Sequence, residues 1–373
     1  MPVGLPAKTT YVNGDVFSAS DINDTNGTLN ITAAPFAAGK NKIINGDFYV
    51  NQRNFTSNTT NATYNFDRWF QQNGGGSGTL TITPQTFTAG TAPVAGYEGR
   101  NFVQCVTASG AATDTYAIYT QKIEDVRTAA GQTVTISFWA KANSGTPKIA
   151  IELEQFFGSG GSPSATVNNY AGQVTLSTSW VRQSLTYVVP SLSGKTIGTT
   201  ANTSLLGLNL WLSGGSAFNS RTGSLGLQNN TFQIWGVQLE TAPTATGFQT
   251  ATGTIQGELA ACQRYYQFIG SGTSKILGIG YYASNAVIDG PIIYLPVEMR
   301  TTPTISIVTG TNYFQAISAG SSSDNLNSLT LASESTTRTV FLFNASEASG
   351  VGGQGCRIMS NNAAAFLAVQ AEL

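Results

Sequence analysis

The sequence predicts an all-β protein. Its 373 residues include 41 glycines, and only 10% of the chain is charged, because threonine, serine and asparagine take the place of most charged residues. Threonine is β-branched and favours strands, whereas glycine, asparagine and serine favour tight turns. Segments of alternating apolar and polar residues recur along the chain with such turn residues between them, which is typical of antiparallel sheets.

Residues 1–40 predict a short attachment segment that ends in a linker. A segment of this length cannot bury a core of its own, so we expect it to dock on another protein or on the rest of the chain. The residues predicted to make this attachment are Asp15, Val16, Phe17 and Ile22.

Residues 41–250 predict an antiparallel β-sandwich of the jelly-roll type. Many strand-like segments follow one another here, and clusters of Gly, Ser and Asn separate nearly all of them. A first strand is expected to open at Ile43 and Ile44. The other segments are 79–83, 116–121, 133–140, 148–153, 178–189, 206–211 and 232–239.

Residues 251–268 contain the connecting helix that the pattern predicts. Thr254 is suited to cap its N-terminus, and apolar residues at helical spacing predict one buried face. The residues of this face are Ile255, Leu259, Cys262 and Tyr266. Residues 269–373 return to short strand-like segments and predict a second, smaller β-sandwich.

Composition excludes several classes of function. The net charge is −1, which leaves no basic footprint for nucleic acid, and the absence of histidine removes His-based catalysis and metal binding. No apolar run approaches the roughly 18 residues of a membrane span, and no signal peptide is evident, so we expect no membrane insertion. Cys105, Cys262 and Cys356 lack any CxxC spacing. We expect buried free thiols, with a single disulfide as the alternative.

A series of short motifs occurs along the chain, and their order and spacing together are specific to one class of protein. The motifs are NGDV at 13–16, SDIN at 20–23, NKIINGDF at 41–48, NQR at 51–53, YNFDRW at 64–69, SFWAK at 137–141, VQLE at 237–240, ATGF at 245–248, ELAACQRYY at 258–266, PVEMRTTPT at 296–304 and AEL at 371–373. Together they resemble tail fibre and minor structural proteins of tailed bacteriophages, and the jelly roll is similar to carbohydrate-binding modules. This resemblance implies a virion protein, a homotrimer and glycan recognition.

Aromatic and amide side chains on a predicted strand, beside a Gly/Ser loop and in the distal domain are the candidates for ligand binding. Three alternating leucines precede Trp211, which therefore falls on the opposite strand face together with Asn209. If the leucines face the core, Trp211 points outwards, where its ring can stack on a sugar. The alternative for Trp211 is a subunit interface or a second core face, and for the distal tyrosines it is a trimer core. The candidate residues are Trp211, Asn209, Phe156, Phe157, Tyr170, Tyr281 and Tyr282.

The sequence offers little for catalysis. Glu152 and Glu154 form a carboxylate pair on one strand face, but a solvated face or an interface explains them more simply. No GK[ST] follows the glycine-rich stretch 74–78, so it is not a phosphate loop. We therefore expect no enzyme, no cofactor and no metal, with a calcium site at Asp47 or Glu240 as the alternative.

Taken together, these features predict a phage virion protein that adheres non-covalently to a glycan of the host surface. Its expected partners are other virion proteins, bound through residues 1–40, further copies of the chain in a homotrimer, and that glycan. The first alternative is a head or neck decoration or connector protein with no receptor role. The second is a capsule-degrading tail spike, which usually has a longer chain with repeat periodicity.

Overall fold

The protein is almost entirely built of antiparallel sheets, which confirms the predicted all-β class. In the computed structural model, the described residues form 21 strands in four sheets and two α-helices, Asn219–Thr222 and Ile255–Gln263. No helix in this part of the chain is both long and apolar enough to cross a membrane. The structure describes residues 39–94, 98–108, 110–318, 323–344 and 346–373. Outside these ranges lie the predicted attachment residues, Asp15, Val16, Phe17 and Ile22.

The first half forms the predicted jelly roll from two facing sheets. Its strands are β1 (Thr63–Tyr64), β2 (Trp69–Gly74), β3 (Thr79–Thr86), β4 (Asn101–Ala108), β5 (Tyr116–Glu124), β6 (Thr133–Ala142), β7 (Lys148–Phe156), β8 (Val167–Thr175), β9 (Val181–Val188), β10 (Leu205–Gly214) and β11 (Asn230–Glu240). One sheet has six strands in the order β1-β2-β5-β10-β7-β8, and the other has five in the order β3-β4-β11-β6-β9.

The core of the jelly roll lies between these two sheets. Alternate residues of β10 point into it, as the period of two predicts: Leu206, Leu208 and Leu210 are fully buried there. Ile43 is also buried in this core, but the strand expected at Ile43 and Ile44 is wrong, because residues 41–43 have no regular secondary structure and residues 44–47 form turns. The Asn41 side chain holds these turns by hydrogen bonds to the backbone at both ends of the 237–249 segment.

The predicted connecting helix is present but shorter than expected. Thr254 caps it as predicted, since its side chain accepts a hydrogen bond from the backbone N–H of Gly257. The helix ends at Gln263 because the chain then enters a strand at Tyr266. The predicted apolar face is confirmed for Cys262 and Tyr266, which are buried, but wrong for Ile255 and Leu259, which are exposed. Glu258 is the other buried residue of the helix. The Glu258 carboxylate accounts for this orientation, because it accepts hydrogen bonds from residues 45 and 252.

The second half forms a second sandwich, as predicted. Its strands are β12 (Tyr266–Ser271), β13 (Ile276–Tyr282), β14 (Ile288–Tyr294), β15 (Thr304–Val308), β16 (Phe314–Ser318), β17 (Ser323–Leu326), β18 (Thr330–Leu331), β19 (Thr339–Asn344), β20 (Gly355–Ser360) and β21 (Phe366–Gln370). They form a three-stranded sheet, β12-β21-β15, and a seven-stranded sheet, β17-β16-β20-β13-β14-β19-β18. The three cysteines are free and buried, which confirms the expectation of core thiols.

Ion pairs join the two halves next to the six-stranded sheet. Glu372 lies between two arginines of the first half: Arg53 donates to one carboxylate oxygen at 2.9 Å, and Arg68 donates to the other. Each guanidinium also lies over a tyrosine ring, Arg53 at 3.8 Å from the ring centroid of Tyr266 and Arg68 at 3.4 Å from that of Tyr265. These contacts attach residues 371–373 to the jelly roll.

Candidate functional site

The outer face of the six-stranded sheet carries an open groove. On β10, the residues that alternate with the core leucines are Gly207, Asn209 and Trp211, so they belong to this outer face. In the antiparallel register, Gly207 lies between Lys122 of β5 and Glu154 of β7. Because glycine has no side chain, these two charged residues flank a gap in the surface of the sheet.

The groove has a volume of about 450 Å³. Gly207 lies at its floor, and a Cβ atom there would lie 3.3 Å from Cβ of Glu154 and 3.7 Å from Oδ1 of Asn209. The side chains around it are mostly polar, with one aromatic ring, from Phe156. The residues that line it are Gln72, Thr120, Lys122, Glu154, Phe156, Asn202, Thr203, Leu205, Gly207, Asn209, Arg300, Glu372 and Leu373.

Hydrogen bonds hold the amide of Asn209 in one orientation. Its Nδ2 donates to Oε2 of Glu152 at 3.1 Å and to Oε2 of Glu154 at 3.2 Å, and its Oδ1 is in hydrogen-bond contact with the Thr120 hydroxyl. An amide whose donors and acceptor are both engaged cannot flip without losing all of these bonds. Asn209, a predicted site residue, therefore lies at the groove as a pre-oriented polar group.

Trp211 is not exposed, so the expectation that its ring is open to a sugar is wrong. It lies on the predicted strand face, opposite the core leucines, but it is completely buried. The cover comes from the segment after β10: the Phe218 ring lies 5.2 Å from the Trp211 ring, and the Arg221 guanidinium lies over it at 4.9 Å. Alternation along a strand sets which face a residue occupies, but it cannot show that a later segment covers that face.

Glu152 holds the segment that covers Trp211 against the sheet. Its carboxylate accepts two hydrogen bonds from Arg221, at 2.7 and 2.9 Å, and one from the Trp211 indole at 2.8 Å. The predicted pair of Glu152 and Glu154 does share one strand face, but Glu152 is fully buried rather than solvated. Because Arg221, Trp211 and Asn209 occupy its oxygens, Glu152 is not available as a catalytic acid or base.

The remaining aromatic candidates of the jelly roll divide between the groove and the interior. Phe156 is half-buried and lines the groove, whereas its neighbour Phe157 points to the other side and is buried. Tyr170 is half-buried and packs with the cluster around Trp211 rather than in the groove. The structure therefore brings together only Asn209 and Phe156 of the candidates from this half.

The two tyrosine candidates of the second half lie on opposite faces of the seven-stranded sheet. Tyr281 is 48% exposed, and its hydroxyl donates to Asp289 at 3.1 Å. Tyr282 is buried, and its hydroxyl donates to Asp324 at 2.8 Å. Neither lines the groove on the jelly roll.

One wall of the groove comes from the second half of the chain, which sequence reasoning missed. Arg300 donates to the backbone oxygens of Ala371 and Glu372, each at 2.9 Å, and Lys122 donates to that of Leu373 at 2.6 Å. Burial lowers the pKa of Lys122, although the negative charge of Glu154 opposes this effect. No local pattern links these residues, because they are distant in sequence.

Two carboxylates, those of Glu240 and Glu372, are occupied by donors from the chain. Glu240, a candidate calcium ligand, accepts hydrogen bonds from Gln238, from the backbone N–H and hydroxyl of Thr246, and lies 3.3 Å from the ammonium of Lys40. Glu372 lines the groove, but its two oxygens pair with arginines. Glu154 is thus the groove carboxylate with the fewest partners among the described contacts.

Solved structures with similar folds include several sugar-binding modules. The xylan-binding domain from Paenibacillus barcinonensis is 12% identical, with a TM-score of 0.30 over 56% of this chain and 98% of that chain. A putative sugar binding protein from Bacteroides thetaiotaomicron is 14% identical, with a TM-score of 0.35 over 54% and 100%. The enzymatically active domain of tailspike protein 4 from bacteriophage CBA120 is 14% identical, with a TM-score of 0.30 over 54% and 22%. At these identities and TM-scores, the ligands of these proteins say nothing about the ligand of this chain.

The comparison of sequences is more informative for part of the chain. No curated protein matches it. A family model does match, and the match begins at the turns before β1 and ends just ahead of β10. Residues 40–203 match the model of the family described as a carbohydrate binding domain.

Proposed function

We propose that the groove on the six-stranded sheet binds a glycan without cleaving it. The observation that carries this proposal is the open groove over Gly207, lined by Lys122, Glu154 and Phe156, in a jelly roll whose residues 40–203 match a carbohydrate binding domain. Sugars present hydroxyl groups that both donate and accept, and pre-oriented polar side chains bind them with little loss of side-chain entropy.

The walls of the groove offer complementary groups for a sugar. Glu154 accepts one hydrogen bond among the described contacts, from Asn209, so its carboxylate retains capacity for a sugar hydroxyl. Phe156 supplies an apolar ring surface of the kind on which the carbon face of a pyranose packs. Lys122 lies across from Glu154, so the two charges balance and the groove suits an uncharged ligand.

A substitution that fills the groove tests this proposal. Gly207→Leu places a side chain in the gap, and the Glu154 side chain must shift slightly to admit it, because a Cβ there lies 3.3 Å from Cβ of Glu154. Gly247→Leu is the control, because a Cβ at Gly247 meets open space. Affinity electrophoresis of the full chain in gels containing xylan, mixed-linked β-glucan or bacterial lipopolysaccharide provides the measurement. We expect at least one polysaccharide to retard the wild type and Gly247→Leu, and to retard Gly207→Leu at least tenfold less strongly.

Two results would count against the groove. If Gly207→Leu has the wild-type unfolding midpoint and still binds as the wild type does, the groove is not the site. If none of these polysaccharides, nor a broad glycan array, binds the wild type, glycan binding itself is wrong. The alternative of a decoration or connector protein without receptor role then becomes the better one.

We further propose that this binding serves attachment of a phage virion to its host. The ordered motifs that resemble tail fibre and minor structural proteins support it, and in such a particle several copies of the chain would strengthen weak individual contacts. Mass spectrometry of purified particles of the phage that encodes the chain tests this: we expect the protein in the particles, and its absence would overturn the virion role. Purified protein is also expected to slow adsorption of these particles to host cells.

A further inference from the structure

The outer face of the seven-stranded sheet exposes an unusual amount of apolar surface. Ile279 is 81% exposed, Tyr294 80%, Ile292 55% and Tyr281 48%. The opposite face of the same sheet is buried in the core of the second sandwich. Single exposed apolar residues are ordinary, but a contiguous group of large ones on a sheet commonly marks an interaction surface.

The register shows that these residues form one patch. Tyr281 of β13 pairs directly with Asp289 of β14, and Ile292 and Tyr294 of β14 pair with Phe341 and Thr339 of β19. Directly paired residues of antiparallel strands point to the same side of the sheet. The apolar patch therefore lies on the neighbouring strands β13 and β14 and borders β19.

On this face, one charge lies on each side of β13. Arg357 of β20 pairs with Ile279 on one side of β13, and Asp289 of β14 pairs with Tyr281 on the other. Asp289 accepts the hydrogen bond from the Tyr281 hydroxyl, and neither charge appears in an ion pair among the described residues. The β20 side of β13, the positive margin, and its β14 side, the negative margin, thus carry opposite charges.

We propose that this face is the surface through which copies of this chain associate with one another. A rotation axis that runs parallel to β13 and passes over it brings the β20 side of one copy against the β14 side of the next. Arg357 then faces Asp289 of the neighbouring copy, two residues or about 7 Å apart along the strand, which an arginine side chain can span. The two margins therefore have complementary charges. Self-association with closed rotational symmetry requires such a self-complementary surface.

A glycan fits this face less well than another copy does. The exposed centre is half isoleucine, which offers no hydrogen bonds, and in contact with a second such sheet the four large side chains can bury several hundred Å² of apolar surface. This inference goes beyond the proposed function and does not depend on it, since the face lies on a different sheet from the groove.

Light scattering coupled to size-exclusion chromatography of the full chain tests the proposal. We expect the wild type, with a chain mass of 39.1 kDa, to run at a multiple of that mass, and the multiple gives the number of copies. Ile279→Asp is expected to weaken association at least tenfold. Val188→Asp is the matched control, because Val188 is also highly exposed, at 60%, but on the jelly roll.

Charge reversal tests the pairing between margins. Arg357→Asp and Asp289→Arg are each expected to weaken association, and the double variant is expected to restore it. A monomeric wild type at about 100 µM, or an Ile279→Asp variant with the wild-type mass, would overturn the proposal. So would a double variant that associates no better than the single ones. Loss of polysaccharide binding in Ile279→Asp with no change in mass would instead make this face a glycan site.

Discussion

Glu152 and Arg221 form a bidentate ion pair next to the groove. The Nε and Nη2 atoms of Arg221 lie 2.7 and 2.9 Å from the two oxygens of Glu152. Glu152 lies on a central strand of the six-stranded sheet, and Arg221 lies on the short helix that crosses its outer face. The pair therefore attaches this helix to the sheet and closes it over Trp211. The same carboxylate also orients the amide of Asn209 at the edge of the groove.

Loss of the Arg221 side chain should strongly destabilise the protein. Arg221→Ala leaves the fully buried Glu152 without its cation, and such a change costs about 3 kcal/mol. Denaturant unfolding measures the free energy. The control is Arg127→Ala, because the Arg127–Asp125 pair is exposed and should contribute under about 1 kcal/mol. Equal effects of the two variants would show that the buried pair has no special role.

Two adjacent phenylalanines should separate binding from stability. Phe156→Ala removes the only aromatic ring that lines the groove within the described part of the chain, and we expect polysaccharide binding to fall about tenfold with little change in unfolding free energy. Phe157→Ala removes a buried ring and should cost about 3 kcal/mol of stability while the folded protein still binds. Affinity electrophoresis and denaturant unfolding of both variants provide the comparison. The reverse pattern would exclude Phe156 from the site.

The pairing between the halves of the chain should depend on Glu372. Glu372→Ala leaves Arg68, which is 1% exposed, without its carboxylate partner, so we expect a loss of about 3 kcal/mol and faster proteolysis between the halves. Glu372→Gln keeps the shape and one acceptor and should lose less. Glu298→Gln is the control, since the Glu298–Arg338 pair is exposed. Unchanged proteolysis in Glu372→Ala would mean that other contacts hold the halves together.

Acid should weaken the second sandwich through Asp324. Partial burial opposes ionisation of this carboxyl, but hydrogen bonds from the Ser349 hydroxyl and backbone N–H and from the Tyr282 hydroxyl hold its pKa below the usual value of 3.8. Its stabilising contribution is thus complete above pH 3.8 and is lost as the pH falls through the lower pKa of the folded state. Unfolding free energies of the wild type and Asp324→Asn should therefore differ near neutral pH and converge in strong acid. A difference that stays constant down to pH 2 would contradict this.

Several features of the fold could be predicted because they depend on neighbouring residues in the chain. The alternation of Leu206, Leu208 and Leu210 predicts their burial, and Thr254 before the helix predicts its cap. Both are local effects, since the period of a strand and the orphan N–H groups of a helix end do not depend on distant segments. The helix face was predicted wrongly at Ile255 and Leu259 because the hydrogen bonds to Glu258 come from residues 45 and 252, which helical spacing does not reveal.

The site could be predicted only in part for the same reason. Asn209 was identified from its strand position and Phe156 from its place beside a Gly/Ser loop, and both lie at the groove. Gly207 carries no chemical group, so its role as the floor appears only when Lys122 and Glu154 are seen on either side of it.

The sequence by itself determined that this is an all-β chain with buried free thiols, and it determined which strand residues share a face. Only the tertiary structure decided which of those faces are covered. Trp211 and Ile279 both lie on outer sheet faces, yet the segment around Phe218 buries the first, while the second is 81% exposed. The physical reason is that alternation is a property of a few consecutive peptide units, whereas cover and groove walls come from segments far away in the chain, whose positions follow from packing of the whole molecule.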